Sequence, residues 1–295
     1  MKEKESMGLI PLVALSTVGN FIISPVLSSD DGTDIITPIL ATLISILVVI
    51  LLKPLAPILF VENDSKSSKI TLIFRGIIYT LTNFYLLVTA VFIVKEFCEY
   101  ANSVVLPNVP ISVLFAIIVI LAIISALGKL DKLLKTSLIL FFVTALFSIV
   151  IFVFSVPKMD FKYIVPTSIF NIKNVLQNSG IIYIRTFGEV ITPIILIGGL
   201  KKAREIFVSN ILAGGIILLC ILNTLLVFGG GFAATLKYPY SEAVSAVNLG
   251  DIFSRMDGFV YIIIFITSYM KIALILYSVK ELGKKLYRMK KVSHN

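Results

Sequence analysis

Three ionisable side chains stand where lipid tolerates them least. The stretch GIIYIRTFGEVITPIILIGG, residues 180–199, is long and apolar enough to cross a bilayer, yet it holds Arg185 and Glu189 near its middle. Lys271 lies in FITSYMKIALILYS, again among apolar residues. A charge at the bilayer centre costs about 2.5–3.5 kcal/mol on insertion scales, so such groups face the bundle interior and find partners there. Arg185 and Glu189 are four apart and share a face on a continuous helix, where they can pair. The other reading places Arg185 high, snorkelling to the headgroups. Glu189 and Lys271 make either a structural interhelical pair or part of a site for a charged solute.

The same stretch carries two helix-breakers, Gly188 and Pro193. The first apolar block, MGLIPLVALSTVGNFIISPVL, has a matching interruption: Ser16, Thr17, Gly19 and Asn20 at mid-depth, with Pro25 beyond them. Interrupted first and sixth helices are what an inverted five-plus-five repeat gives, with unwound backbone holding a solute near the midplane. Such backbone is tolerable only where it faces protein or a cavity. Gly and Pro that merely kink continuous helices are the other reading.

The elements that position these residues are legible in the apolar pattern. The chain has 295 residues, of which 58% are hydrophobic, well above the share in a soluble domain. The apolar residues fall into eight blocks of about 20, the length that crosses a bilayer: 7–27, 35–52, 76–98, 111–127, 138–156, 179–200, 206–235 and 257–279. Residues 1–295 are therefore expected to form a single transmembrane domain, all-α and polytopic. The first block has no small-residue cleavage site and is expected to stay as a helix. Loop four, GKLDKLLK, is expected to be polar. Loop five, with Ile169, Ile172, Val175 and Leu176, suits a short interfacial helix, and loop seven, KYPYSEAVSAVNLGDIFSRM, is similar. The glycines of FGGGF, 228–232, mark close packing or a kink.

The net charge is +9, but its placement points to a lipid bilayer and away from nucleic acid. With a cytoplasmic N-terminus, 18 of the 26 Lys and Arg residues fall on the inner side. They flank the blocks at Lys53, Lys129, Lys201 and the tail from Lys280 to Lys291. That bias puts both termini in the cytoplasm. Cys98 and Cys220 stand alone in separate blocks, and the one histidine, His294, is at the tail. Neither a disulfide framework nor a metal set is expected. No P-loop, GxSxG or HExxH pattern occurs, so neither an enzyme nor a cofactor is expected. At the outer end of the third block, Lys95, Glu96 and Glu99 suit a solvated vestibule.

Three segments carry a resemblance: VKEFCEYANSVVLPNVPI (94–111), FGEVITPIILIGGLKKAREI (187–206) and YPYSEAVSAVNLGDIFSRMDGFVYIIIFITSYMKIALILYS (238–278). In that order they resemble the spore germination permease family, the B subunits of nutrient germinant receptors within the amino acid/polyamine/organocation transporter superfamily. The resemblance implies the LeuT-like five-plus-five inverted-repeat fold of ten spans, here truncated to eight. It implies a ligand pocket at Ser16, Thr17, Gly19, Asn20, Thr186, Phe187, Gly188 and Glu189, with Lys271 close by. The function implied is a membrane subunit that binds a small amino-acid-like nutrient and triggers germination. The location implied is the inner membrane of a spore-forming bacterium, with receptor A and C subunits as partners. A proton-coupled amino-acid permease using Glu189 or Lys271, and a non-transporting assembly subunit, are the alternatives. Other five-plus-five proteins hold a cation between the first and eighth spans, a place that the Lys271 ammonium could fill.

Overall fold

The computed structural model describes residues 3–23, 35–52, 69–164, 172–188, 192, 203–247 and 257–294. Every regular element among them is a helix. In chain order the α-helices are α1 (Glu3–Val18), α2 (Ile36–Leu52), α3 (Lys69–Tyr100), α4 (Ile111–Leu127) and α5 (Leu130–Ser155). They are followed by α6 (Ile172–Ile182), α7 (Ala203–Phe228), α8 (Gly230–Thr235), α9 (Pro239–Ser245) and α10 (Asp257–His294). Among the described residues, four stretches are long and apolar enough to cross a membrane: Ile73–Val105, Leu130–Lys158, Arg204–Phe228 and Asp257–Met289. Gly8–Val18, Ile36–Leu52 and Ile111–Leu127 are shorter apolar helices. The protein is thus an all-helical, multi-pass membrane protein.

The side chains are sorted inside-out relative to a soluble bundle. On α2 the buried stripe is Thr37, Pro38, Ala41, Ser45 and Val49, while Leu43, Leu47 and Leu51 point outward. On α5 the hydroxyls of Ser137, Thr144, Ser148 and Ser155 are buried, and Ile139, Phe142, Leu146 and Val153 are exposed. Lipid supplies no hydrophobic drive between helices, so small and polar residues make the contacts and large apolar ones meet the acyl chains. In water such a surface would be an aggregation site.

Helix α1 sits at the centre, between α5, α7 and α10. Between Gly8 and Gly19, every residue but Ile10 is buried, as befits a helix apolar on all sides. Gly8 lets α5 approach so closely that a Cβ there would lie 2.7 Å from the Leu134 carbonyl oxygen. Ser137 Oγ donates to the Gly8 carbonyl at 3.1 Å across the same contact. Helix α10 packs on α3, α4, α5 and α1, and α2 on α6 and α7. Between α2 and α7 the Asn210 amide donates to Ser45 Oγ at 2.7 Å, both residues being fully buried.

Three elements differ from the sequence expectation. Loop four is mostly helix, because Leu130, Leu133 and Leu134 continue the helical period. The last two pack into a cluster with Leu9 and Leu12 of α1, and Asp131 sits favourably in the first turn. The expected span 206–235 is two helices, α7 and α8, parted at Gly229, whose φ of +72° is reserved for glycine. In loop five Ile169 lies outside the described residues, and α6 carries Val175 inward and Leu176 outward. The chain then runs without interruption from α6 into the sixth apolar block. Loop seven holds α9, but Tyr240, Ala243 and Val244 bury it against α7 and α10 rather than leaving it at a surface.

Candidate functional site

Of the helices that lose their α geometry, two come together, whereas α3 passes into a separate π segment, Ala101–Val105. Helix α1 stops at Val18 and tightens into a 3-10 turn, Gly19–Ile22. Gly19 has a φ of +23°, where a side chain is strained. Helix α6 widens into a π segment, Tyr183–Phe187, followed by a turn at Gly188. π turns put carbonyls out of register and recur at functional sites. The 3-10 turn contacts the π segment; both pack on α1, and the turn also packs on α10.

Lys271 ties the two breaks together. Its side chain is 1% exposed and crosses the open face of Gly19, where a Cβ would collide with Cδ of the lysine stem. Its ammonium donates to the backbone carbonyl of Arg185, inside the π segment, at 3.0 Å. Glycine at 19 is therefore required twice, by its φ and by the lysine lying on it. A charge-assisted bond of this kind is about twice as strong as a neutral one.

Beside this junction lies a cavity of about 250 Å³, walled by Tyr85, Thr89, Phe92, Ile93 and Glu96 of α3, by Ile184 and Arg185 of the π segment, and by Lys271. At roughly 30 Å³ per water, the volume suits a solute of amino-acid size. Its described walls offer a carboxylate, a guanidinium, an ammonium and two hydroxyls among apolar side chains. A few polar groups set in an apolar lining are the usual composition of a small-molecule site.

The residues singled out by sequence divide unevenly over this geometry. Gly19 and Lys271 meet directly, and Gly188 adjoins the cavity: a Cβ on it would come 3.3 Å from the Tyr85 hydroxyl. Thr186 and Phe187 are buried in the π segment, with the Thr186 hydroxyl donating to the Ile182 carbonyl at 2.6 Å. Ser16 and Thr17 both turn back to the Val13 carbonyl at 2.8 Å, so their hydroxyl protons serve α1 itself. Asn20 contributes backbone to the 3-10 turn; its side chain lies outside the described residues. Glu189 lies wholly outside them.

Tyr85, Thr89 and Glu96 were not singled out as site residues. Their signal was available: with Phe92 they recur at helical spacing along one stripe of the third apolar block. The charges at the end of that block also separate. Lys95 and Glu99 form an ion pair at 3.7 Å with side chains 66% and 45% exposed, whereas Glu96, half-buried, lines the cavity.

No curated protein and no solved structure matches the chain. Residues 31–294 match the model of the spore permease family, described as spore germination protein. That match spans α2 to α10, including the π segment, the cavity wall on α3 and Lys271. An all-helical membrane bundle with a lysine buried inside it, matched over nearly its whole length, belongs to the spore germination permease family.

Proposed function

We propose that the protein is the membrane subunit of a spore nutrient germinant receptor, acting as one transmembrane domain that binds a small amino-acid-like germinant beside the Gly19–Lys271–Arg185 junction. The observation that carries this reading is the Lys271 ammonium resting on a π-segment carbonyl next to the cavity. Backbone freed from helical pairing is what can hold both ends of a zwitterion. Amides of the tightened turn beyond Gly19 favour a carboxylate. Carbonyls around Thr186, together with Glu189, accept an ammonium. Ser16, Thr17 and Asn20 bound the pocket on the α1 side, and Phe187 and Gly188 on the other.

Binding triggers germination by shifting a conformational equilibrium, to the extent of its differential affinity for the two states. Lys271 is suited to couple the two, because it holds both breaks in one arrangement and a ligand competes for the same carbonyls. The receptor A and C subunits receive the change, in the inner membrane of the spore-former, with both termini cytoplasmic.

Labelled amino-acid uptake into vesicles, set beside equilibrium binding to the same preparation, tests the assignment. A sensor binds without net flux. Binding with flux would make the protein a proton-coupled permease, and neither would make it an assembly subunit.

A further inference from the structure

The third helix forms much of the cavity wall, and its charged end is divided between two environments. Tyr85, Thr89, Phe92 and Glu96 fall at intervals of four, three and four, which keeps them on one stripe of α3. Lys95 and Glu99 are not among the cavity-lining residues, and they pair with each other in solvent. Glu96 is the one carboxylate among the described cavity-lining residues, facing the same space as Arg185 and Lys271. Two positive groups repel any cationic part of a solute unless an acid is within reach.

We propose that Glu96 is a ligand-binding residue that receives the ammonium of the solute and so makes the cavity selective for zwitterions over simple carboxylic acids. This rests on the amino-acid-binding reading above. An ammonium carries three donors, so backbone carbonyls of the π segment and the Glu96 carboxylate can serve it together. Selectivity then resides on α3, while the two helix breaks supply contacts common to any carboxylate.

The test is calorimetric titration of the full chain in lipid nanodiscs with each of the twenty amino acids. The ones that bind are then compared with their deaminated analogues, the carboxylic acids bearing the same side chain. Wild type should prefer the amino acid roughly ten- to a hundredfold, the worth of a hydrogen bond to a charged group. In Glu96→Gln the amino acid should weaken until the preference largely disappears, with the deaminated acid binding as before. Glu96→Asp should keep part of the preference, and Glu99→Gln all of it. If Glu96→Gln retains the wild-type preference, Glu96 is no ligand residue, and the amino-acid-binding reading stands without it. Loss of both ligands in Glu96→Gln makes the carboxylate structural and overturns the proposal. Failure of every amino acid to bind wild type overturns this proposal and the reading beneath it together.

Discussion

At both Gly19 and Gly229 an α-helix gives way to a glycine of positive φ, +23° and +72°, and in both places a side chain lies on the glycine's open face. At Gly19 it is the Lys271 stem, and at Gly229 the Tyr163 ring. The two breaks differ in what takes the backbone groups around them. At Gly229 the partners are themselves backbone: Gly229 N–H donates to Leu225 at 2.8 Å, Ala233 N–H to Gly229 at 3.1 Å and Asp160 N–H to Leu226 at 2.8 Å. At the Gly19 junction the Arg185 carbonyl is held by a side-chain ammonium. Buried backbone polar groups must be paired in either case. A break closed by backbone is fixed with the fold, whereas one closed by a side chain on a flexible four-carbon stem can exchange partners. The first makes a bend, and the second can make a binding site.

A methyl group placed at each glycine should separate the two breaks most strongly. Gly19→Ala should displace the Lys271 stem and lower ligand affinity on the order of a hundredfold, about 2.7 kcal/mol, as read by calorimetry. Gly229→Ala should leave affinity unchanged and lower stability by about 1–3 kcal/mol, the strain of a side chain on backbone at φ 72° and ψ 158°, which is open essentially to glycine alone, as read by thermal unfolding in detergent. Equal losses of affinity at the two positions would erase the distinction.

Removal of the ammonium is the next largest effect. Lys271→Met leaves the Arg185 carbonyl without that donor, a loss of about 1–3 kcal/mol, and ligand response should fall while the protein still inserts. Replacing Glu189 by Gln in the same chain tests the interhelical pair that the sequence suggests: part of the stability returns only if the two charges are partners. A ligand response in Glu189→Gln alone that equals wild type would make that acid structural. A smaller effect is expected between α2 and α7, where Ser45→Ala deletes the acceptor of the buried Asn210 amide. It should lower the unfolding temperature by an amount equivalent to about 1 kcal/mol without changing affinity. A reporter fused after Asn295 leaves stability and affinity untouched and reads orientation. Activity inside the cell places the Glu96 end of α3 outside, where a nutrient arrives.

The helices were readable because membrane burial writes long apolar blocks, and α2 and α4 match the expected boundaries to within a residue. Charged ends were read less well. Lysines excluded residues 130–137 from a hydropathy block, although Leu130, Leu133 and Leu134 keep the helical period and bury against α1. Gly19 and Lys271 were legible as oddities, a breaker and a charge in apolar surroundings. Their proximity followed only from the family resemblance, since the contact itself depends on how α10 crosses α1. Glu96 was legible as one of three neighbouring charges and as the end of the stripe from Tyr85, but spacing alone does not say which side of α3 meets the cavity. Ser16 and Thr17 were legible as polar residues at mid-depth, but spacing does not foretell that their hydroxyl protons go to their own helix.

Helix α10 runs unbroken from Asp257 to His294, 38 residues, or roughly 57 Å at 1.5 Å per residue. That is nearly twice the ~30 Å hydrocarbon thickness. Lys271 divides it, leaving an arm of about 35 Å between the lysine and the C-terminal end. Such a rod is a lever with its fulcrum at the site: tilting it by about 5° at Lys271 sweeps the far tip through about 3 Å, on the same geometry. Displacements too slight to notice around a solute thus reach the basic end of the chain enlarged.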